Sequence, residues 1–298
     1  MSADIEISVI ICVKNGQDTI ERQLRALAQQ IDPPRFEIIV VNNRSTDETK
    51  PLVLDWFRAQ ASQDFDLKLI DADLYASIPY ARNLGVRAAR GKFLAFCDAD
   101  DVVYPGWLRA FYNKLDKNIL AGGKIIPVSG EIKDSGWGAG LFATSHLPHV
   151  GNGNCAISRE TFMRLEGYDE SLPRYGFEDV EFSWHAQQNG VELIYVPEAI
   201  ISFYPSTAKS SALKKFHLGR GRVLMSRRFP QYDSSSYTVR ETVRNLIEET
   251  LRFFVSTAKN RSLDRKRAGN VFSLLGRAAG AIQYCRPHRI PQRKGIVQ

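Results

Sequence analysis

The chain is poor in cysteine and contains no long apolar run. Its four cysteines, Cys12, Cys97, Cys155 and Cys285, stand far apart in 298 residues and form no Cys-x-x-Cys pair. This spacing argues against a disulfide framework or a thiolate zinc site and suits a reducing compartment. Cys12 and Cys97 fall inside apolar, strand-like stretches and read as small buried hydrophobes. A membrane-spanning helix needs about 18 or more consecutive apolar residues, and none is expected here. The N-terminus lacks the basic region of a secretory signal, and IEISVIICV (5–13) is too short and too strand-like for its apolar core. Internal repeats and low-complexity tracts are also missing, which excludes a solenoid. Hydrophobic residues make up 44% of the chain, too many for disorder to be the default.

Acidic residues are scarce in one part only. From Pro205 onward there are 20 Lys and Arg against 5 Asp and Glu, whereas the preceding residues hold 20 and 28. The overall charge of +7 therefore divides into +15 and −8. A basic end on an acidic body implies a face for anionic lipid, nucleic acid or an anionic substrate, or else a solvated helical surface.

The first hundred residues alternate between two patterns. IEISVIICV (5–13), FEIIVV (36–41), DLKLID (66–71) and KFLAFCD (92–98) read as strands. DTIERQLRALAQQ (18–30), STDETKPLVLDWFRAQ (45–60) and IPYARNLGVRAAR (78–90) carry apolar residues at helical spacing. Ser45 and Glu48 have the spacing of a capping box. Apolar strands separated by amphipathic helices predict a mostly parallel sheet covered on both faces. Ligands of such sheets bind beyond the carboxyl ends of the strands. That rule gathers Lys14-Asn15-Gly16, Asn42-Asn43-Arg44-Ser45 and Asp98-Ala99-Asp100-Asp101 at one edge. After Pro105 the pattern loosens into small residues and short strands, including VELIYV and AIISFY. From about residue 207 the chain is helical and basic.

The stretch GKFLAFCDADDVVYPGWL (91–108) sets three carboxylates in four residues after a buried strand. Such a cluster repels itself unless something positive joins it. Three readings are open from these residues. Asp98 and Asp100 hold a divalent ion bridged to a nucleotide diphosphate; or Asp98 is the nucleophile of an Asp-x-Asp-x-Val phosphatase turn; or the turn is simply solvated.

Four elements, in order, resemble family 2 of the inverting glycosyltransferases. SVIICVKNGQDTIERQLRAL is similar to that family's opening, and EIIVVNNRSTDET to its Val-Asp-Asp/Asn-Gly-Ser-Thr-Asp element. ARNLGVRAARGKFLAFCDADD resembles its Ala-Arg-Asn-x-Gly and Asp-x-Asp-Asp elements, and GNGNCAISRETFMRLEGYDESLPRYGFEDVEFSWHAQQNG its acceptor half, which ends in a Glu-Asp pair. The resemblance covers about residues 6 to 205. It implies an α/β fold of the GT-A type, Rossmann-like, with a C-terminal helical extension. The implied domains are a catalytic domain over 1–206, divided into nucleotide-sugar (1–104) and acceptor (105–206) halves, and a basic extension over 207–298.

The resemblance also implies roles. Asp98 and Asp100 would bind Mn²⁺ or Mg²⁺, with Asp98 also reaching the donor, while Asp101 reads as a cap of the following turn. Val13, Asn15 and Asn42 would border the nucleobase, and Arg82 would pair with phosphate through its planar fork. Asn42 stands where the family often has Asp, which leaves uracil as the expected base, and Arg44 replaces the usual Gly. Asp179 matches the general base, and Glu178, Trp184 and Asn154 would meet the acceptor, with Trp137, His146, His149 and His185 nearby. Ser202-Phe203-Tyr204 occupies the place where many members carry a further histidine ligand. The implied function is inverting transfer from a nucleotide-diphosphate sugar, UDP first, to a glycan or lipid-linked acceptor, with no nucleic acid as partner. A catalytically silent sugar- or nucleotide-binding module on the same fold is the alternative. In the basic helices Val243, Ile247, Leu251 and Phe254 form an apolar stripe, which either packs against the catalytic domain or docks on a membrane surface. The expected location is cytoplasmic, at the inner face of a membrane if that stripe is exposed.

Overall fold

The computed structural model describes residues 4–60, 65–128, 141–142, 147–204, 212–231 and 237–296. The chain divides into two compact units: Met1–Glu170 with Asp179–Pro205 and Gly295–Gln298, and Ser171–Glu178 with Ser206–Lys294.

The first unit opens with β1 (Ile7–Val13), α1 (Ile20–Ala28), β2 (Phe36–Asn42), α2 (Thr49–Ala59), β3 (Asp66–Asp71), α3 (Ile78–Ala88) and β4 (Phe93–Asp98). It continues through β5 (Val102–Val103), α4 (Trp107–Tyr112), β6 (Ile119–Pro127), β7 (Leu141–Phe142), β8 (His149–Val150), β9 (Asn154–Ser158), α5 (Arg159–Arg164), α6 (Glu178–Gln188, whose first residue belongs to the second unit) and β10 (Glu192–Phe203). Eight strands form one sheet in the order β3-β2-β1-β4-β9-β6-β10-β5. The β3-β2-β1-β4 half is parallel, β9 runs antiparallel to β4 and β6, and β10 is parallel to β6. The sheet is therefore mixed. VELIYV and AIISFY are not a strand pair; they are one strand, β10, with a register break between Val196 and Ile200.

Alternation along each strand sends side chains to opposite faces. Ile7, Val9, Ile11, Ile38, Val40, Ala95 and Cys97 enter one apolar core with α1 and α4, while Ile10, Ile39, Val41, Leu94 and Phe96 enter the other with α3 and α5. Strands buried on both faces need apolar residues at every position, which is why their sequences read as continuous runs. One polar cluster interrupts them. Glu37 is fully buried and accepts from Ser8 Oγ at 2.6 Å, the Arg90 amide at 2.7 Å and Arg90 Nε at 3.0 Å, with Lys68 Nζ at 3.1 Å. Burial alone would raise its carboxyl pKa; these donors outweigh it and hold the pKa below the ordinary value. All four cysteines are free.

The second unit contains α7 (Ala212–Arg228), α8 (Val239–Asn260) and α9 (Arg265–Gln283). Here α7 and α9 pack with backbones in contact. A Cβ on Gly219 would meet Ser273 O at 2.0 Å, and one on Gly276 would meet Phe216 O at the same distance. Among the described residues no helix is long and apolar enough to cross a membrane.

Candidate active site

The parallel half of the sheet delivers the ends of β1, β2, β3 and β4 to one edge. The loops after β1 and β2 are interlocked there. Asn15 takes φ +54° and its Oδ1 accepts the Thr46 amide at 2.8 Å, while its own amide donates to Ser45 Oγ at 3.0 Å. The Gly16 amide donates to Thr49 Oγ1 at 2.8 Å. Ser45 thus binds the neighbouring loop, and the expected capping box is absent: α2 begins at Thr49, with no side-chain cap from Glu48. Arg44 lies in the left-handed region at φ +59°, which accounts for the glycine usual at this position in the resembled family.

Asn42 is buried beneath these loops. Its Nδ2 donates to Asp71 Oδ1 at 2.8 Å and its Oδ1 accepts the Ser45 amide at 3.1 Å. Asp71 also pairs with Lys50 at 2.6 Å. The Lys50 contact, then the Asn42 bond, hold the Asp71 carboxyl below its ordinary pKa. Nothing in the sequence singled out Asp71, whose signal was only its place at the end of a strand. Val13 is buried, and its carbonyl accepts the Asn43 amide at 2.8 Å.

At the end of β4, one carboxylate oxygen each from Asp98, Asp100 and Asp101 lies within 4.8 Å of the others. Carboxylate oxygens this close could hold a small divalent ion, which takes oxygen ligands at about 2.1 Å. The turn is held from below by α1. Gln23, fully buried, donates to Asp98 O at 3.1 Å and accepts the Val103 amide at 3.0 Å; Arg22 donates to Asp100 O at 2.7 Å. The Arg22 guanidinium sits 3.6 Å over the Tyr204 ring. Asp101 is buried and accepts the Tyr204 amide at 3.1 Å, a tie to the end of β10. Burial, with repulsion from Asp98, pushes its carboxyl pKa up to about 8.

Arg82 is buried in α3 and donates to Asp98 Oδ1 at 3.1 Å. Its neighbour Asn83 anchors the acceptor-side chain, donating to Tyr168 O at 2.8 Å and Glu170 Oε1 at 2.9 Å and accepting the Tyr168 amide at 2.9 Å. Asp179, in the first turn of α6, accepts the Val180 amide at 2.8 Å. Burial pushes its carboxyl above the ordinary pKa, opposed by that amide and the Arg82 charge and reinforced by the Asp98 charge. Glu178 precedes it as the first residue of α6.

Two residues expected at the acceptor lie in the interior. Asn154 is 1% exposed; its Oδ1 accepts Trp107 Nε1 at 2.7 Å, and its Nδ2 donates to Lys124 O and Ala199 O, both at 3.0 Å. From β9 this amide reaches β6, β10 and α4 and ties the sheet together. Trp184 is likewise buried, with its indole N–H on Leu147 O at 3.1 Å. His149 stacks on Phe142 at 5.1 Å. Trp137 and His146 lie outside the described residues. The glycines of GNGN serve close approach within the protein: a Cβ on Gly153 would meet Asp98 Oδ2 at 2.6 Å.

A model described as glycosyl transferase family 2 matches residues 8–163. Glycosyltransferase AglE of Haloferax volcanii is 25% identical over 232 residues, 73% of each chain. The succinoglycan biosynthesis protein ExoO of Rhizobium meliloti is 35% identical over 112 residues, 37% of this chain and 30% of that one. An uncharacterized glycosyltransferase of Haemophilus influenzae is 30% identical over 112 residues, 38% of this chain and 33% of its own length. The chain thus spans about a third of the length of these last two relatives. Among solved structures, S. aureus TarS in complex with UDP has a TM-score of 0.57 at 18% identity, covering 95% of this chain and 93% of that one. Mannosyltransferase PcManGT from Pyrobaculum calidifontis, in complex with GDP-Man and Mn²⁺, has a TM-score of 0.61 at 17% identity, covering 94% and 88%. At these identities the structural likeness is one of fold.

Proposed function

The chain belongs to glycosyl transferase family 2 and has its GT-A fold, and we propose that it moves a sugar, with inversion, from a UDP-sugar to a hydroxyl of a glycan or lipid-linked acceptor. Membership removes the phosphatase reading of Asp98, which had only the turn itself in its favour. The observation that carries the proposal is the meeting, at one sheet edge, of three carboxylates, the guanidinium of Arg82 and a carboxyl of raised pKa at Asp179.

Asp98 and Asp100 would hold Mn²⁺ or Mg²⁺, with Asp101 buried behind them. Such an ion, when bound, neutralises the departing diphosphate. Arg82, whose guanidinium reaches Asp98, would pair with a phosphate oxygen through its planar fork. Asn42 and Asp71 offer a donor and an acceptor beside the loops of Val13 and Asn15, which suits the edge of uracil. Asp179 takes the proton of the attacking hydroxyl, and its raised pKa makes it the stronger base. Glu178 is the remaining residue proposed to bind the acceptor. The site of action is the cytoplasmic side, next to a membrane if the acceptor is lipid-linked.

The test is Asp179→Asn. General-base catalysis contributes about 10²–10⁴-fold, so UDP release in the presence of acceptor falls by that factor while UDP affinity stays at the wild-type value. Transfer at the wild-type rate by the Asn variant would refute the assignment. UDP binding without any turnover in the wild type would favour a silent module.

A further inference from the structure

The amphipathy of α8 runs opposite to that of a helix seated on a core. Its buried residues are Thr242 and Glu249, and Glu249 faces α9 through Arg267 at 3.1 Å and Asn270 at 3.2 Å. Leu246 and Phe253 are half-buried on the same side as Thr242 and Glu249, but most of its apolar residues are on the open side. Ile247, Leu251, Phe254 and Val255 are 56%, 62%, 63% and 67% exposed, and Leu263, in the turn to α9, is 60% exposed. Spacings of three and four place Ile247, Leu251 and Phe254 on one stripe. A contiguous exposed stripe of this kind marks a contact surface.

Charge identifies the partner. From Ile247 through Arg267 there are six Lys or Arg and three acidic residues, of which Glu249 faces α9 and Glu248 lies between Arg244 and Arg252 at 3.9 and 3.7 Å. Asp264 is occupied, accepting the Arg267 amide at 3.0 Å and Ser256 Oγ at 2.7 Å. Lys259, Arg261, Arg265 and Lys266 have no ion-pair partner among the described residues, and all are exposed. Apolar side chains rimmed by unpaired cations match the boundary between acyl chains and anionic headgroups. Long cationic side chains can reach the headgroups while the stripe sits below them.

We infer that α8 and the turn into α9 dock on an anionic membrane surface, lying in it rather than crossing it. The inference goes beyond the donor chemistry and stands on the exposure and charge of this face, independently of the proposed reaction.

The experiment is co-sedimentation of the full chain with phosphatidylcholine vesicles, with and without phosphatidylglycerol. The wild type should pellet with the anionic vesicles only, and less as salt rises. Leu251→Ser combined with Phe254→Ser and Val255→Ser should abolish pelleting. Each cation removed, as in Arg261→Ala with Lys266→Ala, should lower partitioning about fivefold. These side chains are exposed, and retained UDP binding checks that the variants are folded. Phe254→Trp should show a blue-shifted emission on anionic vesicles. Equal recovery on neutral and anionic vesicles, or of the triple variant and the wild type, overturns the inference. So does a wild-type dimer that the triple variant converts to monomer without any vesicle binding, which would give the stripe to a second copy. Vesicle binding without UDP binding would instead strike the functional proposal and leave this one standing.

Discussion

Gly153→Ala tests whether the position of the Asp98 carboxylate governs activity. A Cβ at residue 153 would lie 2.6 Å from Asp98 Oδ2 and 3.2 Å from its Cγ. Carbon–oxygen contacts settle near about 3.3 Å, so the carboxylate must withdraw by about 0.7 Å. Its other oxygen is tied to Arg82 at 3.1 Å, so the movement disturbs that pair as well. Gly153 is not among the positive-φ glycines, so alanine suits its backbone. The Asp98 side chain is 46% exposed and can rotate, so the stability cost should stay below about 1 kcal/mol. A misplacement of about 1 Å at reacting groups costs on the order of 10²-fold, so kcat/KM should fall about 10- to 100-fold. UDP release and urea unfolding, measured on the same preparation, separate the two effects. Wild-type turnover in the variant would refute the reasoning, and so would a loss of activity that merely tracks a loss of stability.

Glu37→Gln removes the buried charge that Arg90, Lys68 and Ser8 surround, and should destabilise the fold by about 3 kcal/mol at neutral pH. Because the folded pKa of Glu37 is lowered, its contribution is complete above the ordinary carboxylate range and is lost as pH falls through the folded value. Urea midpoints of wild type and variant should therefore converge in acid; a constant gap would argue against a charge effect. Asn154→Ala leaves the Trp107 indole N–H and the Lys124 and Ala199 carbonyls without their partner, and should cost about 2–4 kcal/mol with an unchanged acceptor KM. A raised KM at wild-type stability would return Asn154 to the acceptor site.

The framework of this protein is written in local patterns. Strands buried on both faces are apolar throughout, the helices between them keep a 3.6-residue period, and topology then fixes which loops meet. The meeting of Asp98 and Asp100 with the loops after β1 and β2 was legible for that reason, whereas Arg82, within α3, was singled out only by the resemblance of its Ala-Arg-Asn stretch. Asn154 and Trp184 suit sugars by type, but their interior hydrogen bonds, to residues as much as 47 positions away, were not legible in the sequence. Gln23 shows the same limit: one amide on α1 holds both Asp98 and Val103, and nothing local announces it. The left-handed backbone at Arg44 explains the family's usual glycine but not the arginine that replaces it. The α8 stripe was visible as a period, but only its exposure distinguishes a surface from a core.

The central claim is that the acidic turn holds a divalent ion that in turn holds the donor's diphosphate. Calorimetric titration of UDP into wild type and Asp100→Ala, each with Mn²⁺ and again with chelator, tests it most directly. The account predicts binding to the wild type that requires Mn²⁺ and disappears in the variant. Equal binding with and without the metal, or by the variant and the wild type alike, would contradict it.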